Sequence, residues 1–402
     1  MATERITFKG SLGEDLAARL EMPRGTPRAF ALFAHCFSCS KDIFAASKIS
    51  RQLADDGIAV LRFDFTGLGH SDGDFANTNF SSNVADLVAA ANFMRETFEA
   101  PKLLIGHSFG GAAVLLAAHE VPECKAVVTL GAPADTDHVT QNFADHLDQI
   151  ERDGVAGVTL GGRPFTIKKQ FVDDLTNHEV TKAAASLKRA LLIMHAPLDE
   201  QVSVENASQL FVTAKHPKSF VSLDSADHLI TRPEDATYAA NVLCAWAERY
   251  IEAPRQSNAE PKTVLVRETG NGKWENIGLS GNHEIIGDQP RPAGKDGGPS
   301  PYDFVAMGLG LCTNQTLRMY AGHKKYAVKR ISTTVHYDKA HVDDCEDCAK
   351  DKHGKALVFD RQIEIDGDLD PETRQRMLEI ADKCPVHEAL EGKTQIRTKL
   401  VG

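Results

Sequence analysis

Ser108 sits in Gly106-His107-Ser108-Phe109-Gly110, between the apolar run Leu103-Leu104-Ile105 and the small-residue stretch from Ala112 to Ala118. Gly-x-Ser-x-Gly between a strand and a helix describes a sharp turn that lifts the hydroxyl clear of the sheet. The amide of the next residue and the helix N-terminus behind it then favour negative charge on a bound oxygen. The plain alternative is a glycine-rich turn that merely packs closely, and the flanking strand and helix weigh against it. Two further groups follow in order. The strand-like Ala190-Leu191-Leu192-Ile193-Met194 precedes a turn containing Asp199, and Phe220-Val221-Ser222-Leu223 precedes a loop containing His228. A serine nucleophile needs a base to take and return its proton, and the base needs a carboxylate to fix its tautomer. Ser108, His228 and Asp199 can fill those roles as a catalytic triad.

Acyl transfer also needs two amides for the developing oxyanion. The amide of Phe109 is one, and the loop after Ala31-Leu32-Phe33-Ala34-His35-Cys36-Phe37 can supply the other from Phe37. Cys36-x-x-Cys39 has the spacing of a redox pair, but its context is that of an oxyanion loop, not the start of a thioredoxin-like helix, so redox or metal use ranks second there. A separate pair of thiols lies downstream. Cys312 belongs to an apolar helix, Phe304 to Leu317, which is expected to be buried because it is apolar nearly all round. Cys384 precedes Pro385, which suits the first turn of a new helix and places the sulfur where a thiol pKa falls. One buried cysteine is usually a small hydrophobe; two, each centring or closing a helix, invite a redox reading. His341-x3-Cys345-x2-Cys348-x4-His353 offers zinc-ligand types. It lies in an Asp/Lys-rich loop without a second Cys-x2-Cys, so a solvated acidic loop is preferred, and neither a metal nor another cofactor is expected.

The elements that must position these groups alternate at first. Strands are predicted to begin near Ile6, Leu16, Phe30, Ala59, Leu103, Ala126, Ala190 and Ser219, with helices over 46–55, 82–98, 111–121, 204–215 and 233–252. That alternation predicts a mostly parallel sheet with helices on both faces. Residues 135–187 interrupt it with a helical stretch and a hairpin at 158–167, and are read as a short cap over a fairly open site for modest acyl groups. Residues 254–262 are polar and Pro-bounded, as a linker would be. Beyond them come a hairpin signal around Asn271-Gly272, a Gly/Pro-rich loop at 290–301, a helix from Asp303 to Ala321, strands at 328–338 and 356–365, a helix from Pro371 to Asp382 and a closing strand. This is α+β texture.

Residues from about Arg5 to Ile251 resemble the α/β-hydrolase family in the order Ser108…Asp199…His228. Asp64-Phe65-Thr66-Gly67-Leu68-Gly69-His70-Ser71 is similar to that family's Asp-x-x-Gly-x-Gly-x-Ser segment, and is read as a structural loop under the site. Residues from about Thr263 to Gly402 resemble the OsmC/Ohr family in Gly297-Gly298-Pro299-Ser300-Pro301 ahead of the Cys312 helix and in Lys383-Cys384-Pro385-Val386-His387. That second resemblance implies a thiol-dependent hydroperoxide reductase in an intertwined dimer, with Cys312 as the attacking thiolate and Cys384 as the resolving thiol. Two features depart from it. Tyr302, followed by Asp303, stands where the family's peroxidases place a Glu, and neither Lys273 nor Arg267 aligns with their activating Arg. A Cys312 without a neighbouring cation would have a raised pKa and react slowly.

The expected architecture is therefore an α/β-hydrolase fold over 1–253 with a cap at 135–187, a linker at 254–262, and an α+β OsmC-like domain over 263–402. The net charge of −11 over 402 residues argues against nucleic acid or an anionic membrane as partner. No run approaches the length of a membrane span, and no N-terminal basic and apolar signal is visible. Eight cysteines make no disulfide framework in a chain this long, so a reducing cytoplasm is the expected compartment. The expected activity is cleavage of small-molecule acyl esters by a carboxylesterase-type serine hydrolase. The OsmC-like domain is expected to form a homodimer and, through a dithiol reductant, to consume organic hydroperoxide. Two alternatives place the main activity at the thiols, with the hydrolase domain capturing substrate, or reduce the second domain to a dimerisation element.

Overall fold

The computed structural model describes residues 2–160, 162–251, 262–281, 283–341, 355–392 and 394–400. The chain divides into two compact units, the first chiefly Met1–Val264 and the second chiefly Glu284–Gly402, with short segments between them apportioned to one or the other. The expected linker falls almost wholly outside the described residues.

The first unit is built on a central sheet. Its strands are β1 (Ala2–Lys9), β2 (Asp15–Met22), β3 (Ala29–Ala34), β4 (Ile58–Phe63), β5 (Leu103–His107), β6 (Ala126–Leu130), β9 (Ala190–His195) and β10 (Lys218–Ser222). They lie in the order β1-β2-β4-β3-β5-β6-β9-β10. β1, β2 and β4 pair antiparallel, and from β4 to β10 every pairing is parallel. The strands β3 to β6 and β9 are buried at every position, the signature of a parallel sheet covered on both sides. Helices α1 (Phe44–Asp55), α2 (Phe80–Thr97), α3 (Phe109–Ala117), α7 (Glu205–Thr213) and α8 (Pro233–Ala247) supply that cover, dividing the apolar core into one cluster on each face. From β3 the chain winds outward to β4 on one side and to β5 on the other. That reversal leaves a crevice at the carboxyl ends of β3 and β5, where open α/β sheets hold their sites.

The cap is present between β6 and β9. It comprises a 3-10 segment (Asp137–His146), α4 (Leu147–Asp153), the antiparallel pair β7 (Val155–Leu160) and β8 (Arg163–Lys168), α5 (Lys169–Leu175) and α6 (Val180–Ala185). β7 alternates exposed and buried residues, as a one-faced hairpin must.

In the second unit, β11 (Val264–Glu268), β12 (Asn276–Ser280) and β13 (His283–Gly287) form one sheet, and the long pair β14 (Val328–His341) and β15 (Lys355–Gly367) another. The helix α9 (Pro301–Lys324) packs along β14 with α10 (Pro371–Ala381), and α11 (Pro385–Glu391) closes the fold. Ser300 caps α9 through a reciprocal bond with Asp303. The core here is small, centred on Leu317, Ala321, Met377, Ile380 and Ala381.

Two expectations fail in this unit. The α9 helix is not buried all round: Met307, Leu311 and Met319 are exposed, Leu311 by 62%, because β14 and α10 cover one face only. The closing strand is not formed among the described residues. Residues 394–400 alternate as a strand would, but pair with no edge, and Ile396 is 89% exposed; alternation without a neighbouring ladder does not make a strand. Of the zinc-type cluster, Cys345, Cys348 and His353 lie outside the described residues. No described helix is long and apolar enough to cross a membrane.

Candidate active site

The turn from β5 to α3 places Ser108 at φ 55°, ψ −124°, a conformation that non-glycine residues rarely adopt. The turn is held by Ser108 N–H to the Leu130 carbonyl at 2.7 Å and Gly111 N–H to the Ser108 carbonyl at 2.8 Å. Its glycines are needed for close approach. A Cβ on Gly106 would lie 2.2 Å from the Gly110 carbonyl oxygen, and one on Gly110 would lie 2.4 Å from that of His35. The second approach brings the loop after β3 against the elbow, and with it Phe37 beside Phe109, their rings 5.4 Å apart edge to face.

The structure brings Ser108, His228 and Asp199 together from three loops. His228 Nε2 is 2.9 Å from Ser108 Oγ, and His228 Nδ1 is 2.7 Å from Asp199 Oδ2. The other Asp199 oxygen accepts the N–H groups of Gln201 and Val202 at 2.9 Å. Burial pushes the Asp199 pKa up, but the bonds from His228, Val202 and Gln201 outweigh it and hold the carboxyl below its ordinary range. A carboxylate so placed holds the Nδ1–H tautomer and frees Nε2 to accept a proton.

Two further histidines escape a reading of the sequence. His107, inside the elbow motif, donates Nε2–H to the His228 carbonyl at 2.7 Å. His195, at the end of β9, donates to the Val202 carbonyl at 2.7 Å and lies 3.6 Å from Asp199. Burial lowers both pKa values, that of His107 to about 4 with help from the neighbouring His228. They are neutral struts for the loops that carry His228 and Asp199. The signal available was their place, one residue before the nucleophile and one at a strand end.

The loop after β3 is anchored from below. Lys41 donates to Asp64 from its backbone at 2.6 Å and from Nζ at 2.5 Å, and Arg62 donates to the Lys41 carbonyl at 2.5 Å and to Glu21 at 2.7 Å. Asp64, Arg62 and Glu21 are buried, so this ionic network is paired at every charge. The Asp64–Ser71 segment thus has the structural role read for it. The Cys36-x-x-Cys39 pair differs from expectation: the two sulfurs form a disulfide. The loop turns back on itself, with Cys39 N–H reaching the Cys36 carbonyl at 3.2 Å, so the spacing closes a ring inside an oxyanion-type loop.

A cavity of about 220 Å³ opens at Ser108 and His228. Its apolar wall is Phe37, Phe109, Pro133, Val139 and Val202, and its polar side includes His138, Gln141, Asn142 and Gln201. Phe171 and Phe75 fill the space behind Phe37. The site is less open than the short cap implies. Ser108 is only 9% exposed, and the 3-10 segment of the cap lines the same cavity with His138, Val139 and Asn142.

The second pair also meets. Cys384 caps α11, its sulfur accepting His387 N–H at 3.5 Å, and hydrogen-bonds Cys312 and Thr313. Burial raises the Cys312 pKa, as does its bond to Cys384. Burial also opposes ionisation of Cys384, but the bonds to its sulfur outweigh this and lower its pKa. Cys384 is buried and Cys312 half-buried. Lys273 lies over the Trp274 ring. A cation that sequence spacing did not reveal is Arg361 on β15. It donates to Thr313 at 2.9 Å, to the Ala381 carbonyl at 3.1 Å and to Asp382 at 2.6 Å. Asp303 is engaged by Tyr337 and Ser300, and Tyr302 packs at a tilt against Tyr337.

Among solved structures, the crystal structure of the esterase domain from a Rhodothermus marinus protein is 47% identical. It covers 63% of this chain and 100% of that one, with a TM-score of 0.52. Mouse alpha/beta hydrolase domain-containing protein 10 shares the fold at 21% identity, 61% and 99% coverage and a TM-score of 0.52. Curated relatives include the Rattus norvegicus mitochondrial palmitoyl-protein thioesterase ABHD10, 25% identical over 44% of this chain. Monoglyceride lipase of the same species is 31% identical over 27% of the chain. The matches span 62% and 36% of those two relatives. The alpha/beta hydrolase family model matches residues 31–270 and that of OsmC-like protein residues 294–399. With more than half its length in the first match, and the buried serine–histidine–aspartate cluster at the switch point of the sheet, this chain belongs to the alpha/beta hydrolase family and carries an OsmC-like domain behind it.

Proposed function

We propose that the first unit hydrolyses carboxylic esters with short acyl groups, through Ser108 as nucleophile, His228 as general base and acid, and Asp199 as the group that orients it. The observation that carries this reading is the unbroken relay from Ser108 Oγ through His228 to Asp199, at 2.9 and 2.7 Å, on a strained elbow. Ser108 Oγ attacks the acyl carbon as its proton passes to His228 Nε2. The oxyanion is held by the Phe37 and Phe109 amides. The carbon–oxygen bond to the alcohol then breaks, with His228 returning the proton to the leaving oxygen, and water repeats the sequence to free the acid. The 47%-identical esterase domain supports ester substrates. Chain length is where this protein would part from the relatives named for palmitoyl and glyceride substrates: the cavity at Ser108 is about 220 Å³, with Phe75 and Phe171 packed behind Phe37.

A panel of p-nitrophenyl esters from acetate to palmitate tests this. The highest kcat/KM is expected at two to six carbons, on the order of 10²-fold above palmitate; a maximum at palmitate would refute the short-acyl reading.

A second reading concerns the other unit and rests on the hydrogen-bonded Cys312–Cys384 pair. We infer that it reduces organic hydroperoxides. Cys312, the more accessible sulfur, takes the outer peroxide oxygen as a sulfenic acid while the alcohol leaves; Cys384 then displaces water to close the disulfide, and a dithiol reduces it by exchange. The exposed apolar face of α9, with Met307 and Leu311, is the surface through which two copies would pair.

A further inference from the structure

We propose that the Cys36–Cys39 disulfide is a thiol–disulfide exchange site that sets the rate of hydrolysis by aiming the Phe37 amide, with dithiols as its reactant class. It rests on the reading of Phe37 as an oxyanion donor.

A peptide unit is planar, with its carbonyl and N–H pointing in opposite directions. Whatever holds the Cys36 carbonyl therefore aims the Phe37 N–H. That carbonyl is held twice. His35 Nδ1 lies 2.7 Å from it, and Cys39 N–H lies 3.2 Å from it. His35 is buried and neutral: its Nδ1–H donates, and Nε2 accepts Phe65 N–H at 3.5 Å. The Cys39 bond exists only while the turn is closed, and the turn carries Ser38 at φ 60°, a conformation that does not hold itself. The disulfide ties the two ends of that turn at a Cα separation of 5.3 Å. It is the one covalent restraint on the peptide that would face the oxyanion.

The site is also reachable. Cys36 is buried, but Cys39 is half-buried, so Cys39 presents the sulfur to attack. A dithiol thiolate bonds to Cys39 Sγ. The sulfur–sulfur bond breaks, and its electron pair leaves on Cys36 Sγ, which takes a proton. The second thiol of the reagent, as thiolate, then displaces Cys39, which is protonated in turn. Two electrons pass from the dithiol to the protein, and the reagent leaves as a disulfide. The other cysteines described in this unit do not compete, because burial raises Cys124 to about 11 and Cys244 to about 12.

Reduction leaves the His35 bond but loosens the turn, so the Phe37 amide loses its fixed aim. Complete loss of one oxyanion donor costs about 10²–10³ in kcat. Partial loss predicts a fall of roughly 5- to 10-fold in kcat with KM little changed, since the donor acts on the transition state.

The full-length protein, before and after incubation with dithiothreitol, should be compared by three readouts. These are kcat and KM on p-nitrophenyl butyrate, the rate of Ser108 phosphonylation by a fluorophosphonate, and mass spectrometry of alkylated cysteines. Dithiothreitol is expected to expose Cys36 and Cys39 to alkylation and to slow both reactions by that factor, with diamide restoring them. The Cys39→Ser chain is expected to sit at the reduced rate and not respond. Alkylation of both cysteines with no change in phosphonylation would overturn the proposal. So would free Cys36 and Cys39 thiols in the air-oxidised protein, or a Cys39→Ser chain that responds as the native one does. Phosphonylation needs no ester substrate. A redox response in it without ester turnover would keep the exchange site and reject the ester reading, and the converse pattern would do the reverse.

Discussion

The two reactive centres differ in how completely their own unit surrounds them. Ser108, His228 and Asp199 come from three loops at the end of a sheet whose central strands are buried throughout, and two buried histidines hold the loops of the base and the acid. The Cys312–Cys384 pair needs only two helices, but those helices share a small core and leave Leu311 and Met307 uncovered. A constellation gathered from distant loops can be held rigid only where a large core fixes every loop. A pair on adjoining helices forms with less, and leaves part of the apolar face of its helix uncovered.

Replacing Ser108 with Ala breaks this comparison most directly. Ester turnover is expected to fall by about 10⁴-fold or more with the circular dichroism unchanged; near-normal turnover would leave the enclosed centre without a role. Asp199→Asn should cost roughly 10²- to 10³-fold, less than the serine, because it disturbs the tautomer and the imidazolium but not the nucleophile. An unchanged kcat would show that another acid serves.

Acid stability sharpens the contrast within the hydrolase unit. His107 has a folded-state pKa of about 4 against an ordinary 6.5. Above pH 6.5 neither folded nor unfolded chain binds this proton. As pH falls below 6.5 the unfolded chain binds it and the folded chain does not, so stability declines until about pH 4. The shift corresponds to about 3 kcal/mol. His35 and His195, also lowered, add in the same direction. Asp199 adds a loss only at lower pH, as its carboxylate is protonated. Thermal melts should therefore hold level from pH 8 to about 6.5 and then fall toward pH 4.5, more shallowly for His107→Gln, which keeps a donor for the His228 carbonyl but does not titrate. Parallel curves for the two proteins would mean His107 is not held neutral.

The thiol pair should respond more gently. Cys384→Ser removes a neighbour that raises the Cys312 pKa, so alkylation of Cys312 is expected to quicken by about 10-fold or less at pH 7.5, read by iodoacetamide kinetics. Slower alkylation would show that Cys312 needs its neighbour to ionise. Smallest of all, Cys312→Ser should change ester turnover by less than about twofold, since the residue lies outside the hydrolase unit; a large loss would join the two centres.

Much of this was legible along the chain because it is local. Apolar runs such as Ala190–His195 announce buried parallel strands, and Gly106–Gly110 announces an elbow because Gly106 answers a contact in the turn itself. The order serine, aspartate, histidine after successive strands needs no distances. The misreadings arose where a property belongs to the assembly of elements. The α9 helix is apolar nearly all round, yet how many faces are covered depends on how many neighbours the chain supplies, and Thr394–Leu400 has the alternation of a strand without an edge to join. The roles of His107, His195 and Arg361 were hidden for the same reason: a single histidine or arginine says nothing of the carbonyl or hydroxyl it will meet. Composition and short-range pattern determined which residues could react and which elements would carry them. Only the tertiary structure decided which groups lie within hydrogen-bond reach and how close the loop after β3 comes to the serine, because those depend on distances between segments that the covalent chain does not constrain.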